Sequence, residues 1–214
     1  MITLWGRPSS INVQKVLWTL DEIGLAYDHI DAGGDAGGLD DPAFRAMNPH
    51  GRVPVLKDGD AALWESNAIV RYLCAAYAPG GLCPTAPLQR ARAEAWMDWT
   101  LATLQPAIMG LFWGYYRTPA ALRDAARNRR FAAECAAALA TLDAWLSAQR
   151  FVAGDGFSMA DIPAATLMFR YFGMDIGRPG TPAVAAWRRR LALRDPYRRH
   201  VMRPFDDLFG RLAY

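Results

Sequence analysis

A segment dense in proline and glycine, APGGLCPTAP at residues 78–87, divides the 214-residue chain into two parts with different hydrophobic patterns. Such a segment interrupts both helices and strands. Before it, short apolar runs alternate with helical patterns, whereas the windows that follow are rich in Ala, Leu and Arg and have no strand pattern. We therefore predict an α/β domain at residues 1–79, a linker at residues 80–87 and an all-helical domain at residues 88–214.

The order of patterns in the first part predicts its topology. MITLW reads as a strand, residues 11–23 as a helix that Gly24 ends, LAYDHID as a second strand and residues 42–47 as a short helix. RVPVL and AALW are strands joined by Asp58-Gly59, a strong hairpin signal, and SNAIVRYLCAAYA is helical again. This βαβαββα order predicts a mixed four-stranded sheet with a right-handed crossover between the first two strands.

The composition argues against several classes of protein. The hydrophobic fraction of 52% suits buried cores, and no run approaches the roughly 18 apolar residues that a membrane helix needs. Because no secretion signal is recognisable, we expect a cytoplasmic protein with no membrane partner. The three cysteines lack CxxC spacing and the three histidines are scattered, so the sequence predicts neither disulfides nor a metal site.

Basic residues are concentrated in the second part of the chain. Residues 1–79 carry a net charge of −4 and the remainder +7, with runs of arginine at residues 188–190 and 198–199. No motif of a nucleic-acid-binding protein accompanies these runs. We interpret them as solvated helix faces and expect no nucleic-acid partner.

Ser9, Ser10 and Asn12 stand where the first predicted strand gives way to the first helix. Small polar side chains at a helix start often cap its unpaired N–H groups, and a helix start also attracts anions. The residues alone leave two interpretations open: an ordinary capped helix start, or a site that holds an anion.

Pro54 interrupts an otherwise good strand, because proline has no N–H to donate to a neighbouring strand. It must lie at the edge or start of the strand, or follow a cis peptide bond. A cis bond would turn the backbone of Val53 outward, where its N–H and C=O could pair with an extended peptide-like ligand. An edge-strand proline without a ligand is the alternative.

Glu65 and Ser66 follow the fourth strand and open the next helix. Ser66 is a good N-cap residue, and the helix start could offer its hydroxyl and N–H groups to a carboxylate. Glu65 beside it would suit an ammonium group. Together the two residues predict a receptor for an amino-acid head group, although each taken singly is more often a cap or a surface acid.

The segment NPHGRVPVLKDGDAALWESNAIVRYL at residues 48–73 resembles the glutathione site of cytosolic glutathione S-transferases, and FSMADI at residues 157–162 is similar to that family's structural helix-capping box. The element order, the linker and the helical second part extend the resemblance over nearly the whole chain. It implies a thioredoxin-like first domain with glutathione as co-substrate, no permanently bound cofactor, and usually a homodimer. The start of the first helix resembles that of bacterial serine-type members with nu-, theta- and phi-like features.

The resemblance also implies roles for the residues of that helix start. Aligning Lys15-Val16 with the basic-Val pair of the serine and threonine classes places Ser10 as hydrogen-bond donor to the glutathione sulfur. Asn12 then stands where nu-like members have an asparagine, and Ser9 is the alternative if the alignment slips by one residue. A free thiol with a pKa of about 8.5 is mostly protonated at neutral pH, and helix starts and nearby donors favour the thiolate.

The resemblance also implies contacts for the rest of glutathione, which is a tripeptide. The cysteinyl part would pair with the backbone of Val53, which a cis bond to Pro54 would hold in place. The γ-glutamyl end would be bound by Glu65 and Ser66.

The glycyl carboxylate side would meet Arg52 and His50. The electrophile is expected in a pocket to which the helical domain contributes, with Arg7, Trp113 and Tyr116 as candidates. An aromatic stripe at helical spacing is, however, more often part of a core.

The function that follows from the resemblance is activation of glutathione as the thiolate and its conjugation to a small hydrophobic electrophile. A glutathione-dependent disulfide reductase or peroxidase of the nu-like type is one alternative. No cysteine stands at positions 9–12, so a mixed disulfide with the protein is not expected there. A non-catalytic glutathione-binding interaction module is the other alternative.

Overall fold

The computed structural model describes residues 1–212, which form two compact units. The first unit consists of residues Met1–Cys83 and Pro196–Arg203, and the second begins at Pro84 and continues after Arg203. The domain boundaries predicted from the sequence assign residues 196–203 to the second domain, so the two divisions differ there. No helix among residues 1–212 is long and apolar enough to cross a bilayer.

The first unit is built on a mixed four-stranded sheet. Its strands are β1 (Ile2–Trp5), β2 (Tyr27–Ile30), β3 (Val55–Asp58) and β4 (Ala61–Trp64). β1 pairs in parallel with β2 and antiparallel with β3, and β3 pairs antiparallel with β4, which gives the order β2-β1-β3-β4. Gly59 turns the hairpin between β3 and β4 with a φ of +58°, a conformation that glycine adopts without strain.

Helices cover both faces of this sheet. They are α1 (Ile11–Glu22), α2 (Pro42–Met47) and α3 (Ser66–Tyr77). α1 and α3 pack their apolar stripes on the face that presents Leu4 and Leu56, and α2 places Phe44 against Val55 on the opposite face. The predicted βαβαββα order and mixed sheet are therefore confirmed.

The second unit is helical. Its helices are α4 (Pro87–Trp99), α5 (Gln105–Leu111), α6 (Ala125–Leu146), α7 (Asp161–Gly173) and α8 (Pro182–Leu191), and α9 (Asp195–His200) leads back to the first unit. Two π-helical turns, Thr100–Leu104 and Phe112–Arg117, flank α5. The described part of this unit contains no strand, which confirms the predicted all-helical second domain.

The capping box at the start of α7 is structural, as its sequence predicts. The carboxylate of Asp161 accepts a hydrogen bond from Ser158 N at 3.0 Å, and Ser158 Oγ accepts one from Ala160 N at 3.3 Å. Asp161 is fully buried and also accepts from Val152 N and from Trp187 Nε1. Burial raises the pKa of Asp161 to about 6, although these hydrogen bonds act in the opposite direction.

A segment near the end of the chain completes the first unit. The ring of Tyr197 packs edge-on against Trp18, with 4.8 Å between the ring centroids. His200 Nε2 lies 2.7 Å from Asp21 Oδ2, and the same carboxylate accepts from the hydroxyl of Tyr27. Residues nearly 180 positions apart in the sequence thus hold the outer side of α1.

Candidate active site

The turn between β1 and α1 is tightly packed. Gly6 has a φ of +148°, and a Cβ there would lie 2.5 Å from Cγ2 of Val13, so only glycine fits. Ser10 then takes the N-cap position of α1 with extended backbone angles, and its side chain accepts no cap hydrogen bond. The interpretation of Ser10 as an ordinary side-chain cap is therefore wrong, and its hydroxyl is left to other partners. Ser9 is exposed, whereas Ser10 is half-buried.

Asn12 connects this helix start to the next candidate region. Its Oδ1 accepts hydrogen bonds from Lys15 Nζ at 3.0 Å and from Ser66 Oγ at 3.4 Å. Ser66 is 54 residues further along the chain. The structure thus brings together Asn12 and Ser66, which the sequence proposed for two different ends of one ligand.

Glu65 and Ser66 differ in one respect from the prediction. α3 begins at Ser66, and Glu65 occupies the N-cap without making a side-chain cap, so the interpretation of Ser66 as the N-cap is wrong. Glu65 has a φ of +69° and is the one non-glycine residue with positive φ among residues 1–212. Such strain persists where the surrounding structure enforces it, and it is found preferentially at functional sites. The Glu65 side chain is exposed and Ser66 is buried.

The backbone at Pro54 has the geometry that the sequence allowed for a ligand-binding turn. The Val53–Pro54 peptide bond is cis, and β3 begins only at Val55. Pro54 therefore precedes the strand and interrupts none of its hydrogen bonds. Neither backbone group of Val53 bonds to another of the described residues, so both remain available to an extended ligand.

A buried asparagine that sequence reasoning missed shapes the loop before Pro54. Asn48 Nδ2 donates to the carbonyl oxygen of Arg52 at 2.7 Å, and Asn48 Oδ1 accepts from His50 N at 3.0 Å. The ring of His50 packs edge-on against Trp64, while the side chain of Arg52 is exposed. The available signal was the tendency of asparagine to bond the backbone two residues further on.

Lys15 is the second residue that sequence reasoning did not assign to the site. Its side chain is fully buried, and this burial lowers its pKa to about 7, against the opposing effect of the Glu65 carboxylate. The sequence used Lys15 only to align the helix start. A lysine on an otherwise apolar helix face was the signal that could have identified it.

The three candidates for an electrophile pocket lie in different surroundings. The Arg7 side chain packs over the loop that follows β2, so that a Cβ on Gly33 would lie 3.0 Å from Arg7 Nη1. In the second unit, the guanidinium of Arg117 lies 4.2 Å from the ring centroid of Trp113. Tyr116 is only 6% exposed because it packs among aromatic rings, which are those of Phe112, Phe205 and Phe209.

Metal-binding and disulfide chemistry have no site in the described residues. No group of three or more His, Cys, Asp or Glu side chains within residues 1–212 is arranged to hold a metal ion. All three cysteines are buried thiols outside any disulfide. Burial raises the pKa of Cys74 and of Cys135 to about 12, which disfavours the reactive thiolate in each.

Two family models match the chain and together span most of it. The glutathione S-transferase N-terminal domain matches residues 4–81, and the glutathione S-transferase C-terminal domain matches residues 104–195. The glutathione S-transferase GstB of Escherichia coli strain K12 is 44% identical over 206 residues, which are 95% of this chain and 99% of that protein. Glutathione S-transferase 3 of Zea mays is 33% identical over 208 residues, covering 94% and 93%.

Solved structures of similar proteins have the same thioredoxin-like and helical domains. A theta class glutathione S-transferase from the citrus canker pathogen Xanthomonas axonopodis pv. citri, solved with glutathione bound, has 49% sequence identity and a TM-score of 0.90. The match covers 95% of this chain and 98% of that one. The glutathione transferase BmGSTD1 of Bombyx mori has 26% identity and a TM-score of 0.84 over 94% and 93% of the two chains.

Proposed function

The chain belongs to the glutathione S-transferase family, and from this premise we propose that it binds glutathione as the thiolate and conjugates it to small hydrophobic electrophiles. The observation that carries this proposal is the contact between Asn12 Oδ1 and Ser66 Oγ. It joins the start of α1, which suits an ionised sulfur, to the start of α3, which suits the head group of the same ligand.

At the sulfur, the proposed donors are the Ser10 hydroxyl and the first N–H groups of α1. Ser10 makes no side-chain cap, so the N–H groups at this helix end are not satisfied by its oxygen. Hydrogen bonds to an ionised acceptor are about twice as strong as neutral ones, and they favour the thiolate over the thiol. Asn12 in the same turn is a further donor, and exposed Ser9 is the alternative to Ser10.

Along the tripeptide, the proposed contacts follow the backbone geometry. The N–H and C=O of Val53, before the cis bond to Pro54, would pair with the cysteinyl residue as an added strand does. Ser66 and the N–H groups at the start of α3 would bind the γ-glutamyl carboxylate, and Glu65 its ammonium group.

At the glycyl end, Arg52 and His50 are the proposed contacts, and Asn48 fixes the loop that carries them. Arg7, Trp113 and Tyr116 remain the proposed contributors to the electrophile pocket. Aromatic side chains suit apolar electrophiles because they offer large apolar surfaces.

A homodimer is proposed as the assembled state. Tyr72 and Tyr77, whose ring centroids lie 6.3 Å apart, each expose more than a third of their surface in the first unit, and neighbouring exposed aromatic side chains often mark protein contacts. Sedimentation analysis at micromolar concentration tests this proposal, and a monomer would contradict it.

The cellular location is a separate proposal. The buried thiols of the three cysteines support a reducing compartment such as the cytoplasm.

Reduction of disulfides or peroxides is the second candidate, favoured by the carboxamide of Asn12 beside Ser10 at the helix start. Because no cysteine stands at positions 9–12, the exchange would have to occur between two bound glutathione molecules.

One set of assays separates these functions. We expect retention on immobilised glutathione and conjugation of a chloronitrobenzene. Faster reduction of a disulfide or hydroperoxide than conjugation would favour the second candidate. Binding without turnover in all three assays would indicate an interaction module, and failure to bind glutathione at millimolar concentration would overturn the proposal itself.

A further inference from the structure

Lys15 places its amino group in the core of the first unit. The residue is 0% exposed, and few lysines are buried to this extent without a specific partner. Its Nζ donates to Asn12 Oδ1 at 3.0 Å, one turn back along α1. The exposed carboxylate of Glu65, at the start of α3, also acts electrostatically on the ammonium group.

The contact with Lys15 fixes which way the Asn12 side chain faces. Lys15 Nζ is the donor in this contact, so the atom that faces it is the carbonyl oxygen, which is the only acceptor of the carboxamide. The hydroxyl of Ser66 donates to the same oxygen at 3.4 Å. Because Lys15 and Ser66 both donate to Asn12 Oδ1, the Nδ2 atom of the same carboxamide points away from both donors. Asn12 Nδ2 donates to none of the described residues.

We propose that Lys15 is a positioning residue, which holds the Asn12 carboxamide with Oδ1 inward and Nδ2 outward so that Nδ2 can donate to the glutathione sulfur. This inference rests on the proposed function, because it assigns the outward amide to the thiolate. Lys15 itself does not touch the ligand. The burial of Lys15 strengthens this effect. A hydrogen bond from a donor that is shielded from water is stronger, so it holds the Asn12 carboxamide in one orientation.

The test uses two variants of the full-length protein. Lys15→Met removes the ammonium group at similar length, and apolar replacements of buried charges are often tolerated. Lys57→Met is the matched control. It makes the same substitution at a lysine of β3 whose side chain is only half-buried. Lys15→Arg keeps a hydrogen-bond donor at this position. Its properties should therefore lie closer to those of the wild type than the properties of Lys15→Met do.

The first readout needs no ligand. In proton–nitrogen NMR spectra of the free protein, the side-chain amide signals of Asn12 should shift in Lys15→Met and stay unchanged in Lys57→Met. The second readout is the ultraviolet absorbance of the bound thiolate. In Lys15→Met the thiol pKa should rise by about one unit, so that the midpoint of the thiolate titration moves to higher pH by about one, while glutathione affinity changes little.

A double variant identifies the route of the effect. If Lys15 acts through Asn12, adding Lys15→Met to Asn12→Ala should lower the thiolate fraction no further. Additive losses, unchanged Asn12 amide signals or a Lys15→Met protein that does not fold would each overturn the proposal. If the wild-type protein does not bind glutathione, the proposed function fails, and the amide signals of the free protein still decide whether Lys15 positions Asn12.

Discussion

At the scale of single residues, the proposed chemistry depends on which hydrogen bonds the Ser10 hydroxyl makes within the protein. A serine at an N-cap usually contributes about 1 kcal/mol to stability through its cap hydrogen bond. Ser10 occupies that position without making the bond. Its hydroxyl is therefore available to a ligand, and its removal should affect chemistry more than folding.

For Ser10→Ala we expect kcat/KM for conjugation to fall by about tenfold to a hundredfold, the worth of one hydrogen bond to a charged group. The glutathione affinity should change little, and the free energy of unfolding by less than about 0.5 kcal/mol. Steady-state kinetics, calorimetry and urea unfolding measure the three quantities. Ser9→Ala is the matched control because Ser9 is exposed, and it should behave as wild type. A fully active Ser10→Ala would transfer the role to Ser9, to Asn12 or to the helix start alone.

At the scale of elements, local patterns were sufficient for the order of elements in the first unit but not for every bound. β3 lies at Val55–Asp58 and not over the predicted RVPVL at residues 52–56, because the strand begins only after Pro54. The predicted bounds of α2, β4 and α3 match the structure to within one residue, because a proline start, an Asp-Gly hairpin and a helical apolar stripe are all local signals. Local sequence patterns predicted less of the candidate site. The strained backbone of Glu65 and the contact between Asn12 and Ser66 depend on how α3 packs beside α1, which no local pattern encodes.

The start of α7 offers a prediction about stability. Asp161→Ala should lower the free energy of unfolding by about 3 kcal/mol or more, because it leaves several buried N–H donors without an acceptor. Ser158→Ala should lower it by about 1 kcal/mol, since Ser158 Oγ accepts a single bond. Urea unfolding measures both, with exposed Asp155→Ala as the control that should change little. Equal effects of Asp161→Ala and Asp155→Ala would show that the capping box does not support the fold.

The contact between α9 and α1 predicts a pH dependence. Burial lowers the pKa of His200 below 6.5, although its bond to Asp21 acts in the opposite direction, and the neighbouring Arg199 and Arg203 lower it further. The unfolded chain therefore binds the proton more readily than the folded protein. The contribution to stability is complete above pH 6.5 and is lost as the pH falls through the lowered pKa.

Urea unfolding at neutral pH and at about pH 5 measures this effect. In His200→Gln the loss of stability between the two pH values should be smaller than in the wild type. Exposed His50→Gln is the control and should keep the wild-type loss. The same loss in all three proteins would assign the pH dependence to other groups.

At the scale of the whole molecule, the two compact units do not follow the order of the chain. Residues Pro196–Arg203 belong to the first unit, although more than a hundred residues of the second unit separate them from Cys83. Composition and hydrophobic pattern locate a linker where proline and glycine cluster. They do not reveal that a short helical segment returns to α1, because its pattern resembles that of the helices before it.

This arrangement predicts which unit responds to substitutions near the end of the chain. Tyr197 is 3% exposed against Trp18 in the first unit, and Phe205, eight positions later, is 9% exposed among the rings of Phe112 and Tyr116 in the second. Either change to Ala leaves a cavity and should lower stability by about 3 kcal/mol. Tyr197→Ala should speed hydrogen exchange of amides in β1 and α1, because α1 loses its outer contact.

Phe205→Ala is the matched variant, and it should instead speed exchange in α7 and in the π-helical turn Phe112–Arg117, since Phe205 packs on Phe112 and Phe169. Native-state exchange under mild denaturant resolves the two patterns segment by segment. If both variants loosen the same segments to the same extent, the units unfold as one cooperative body. If each loosens its own unit, residues 197–205 stabilise two separate cores, and the core that contains the Ser10 and Asn12 helix start depends on Tyr197.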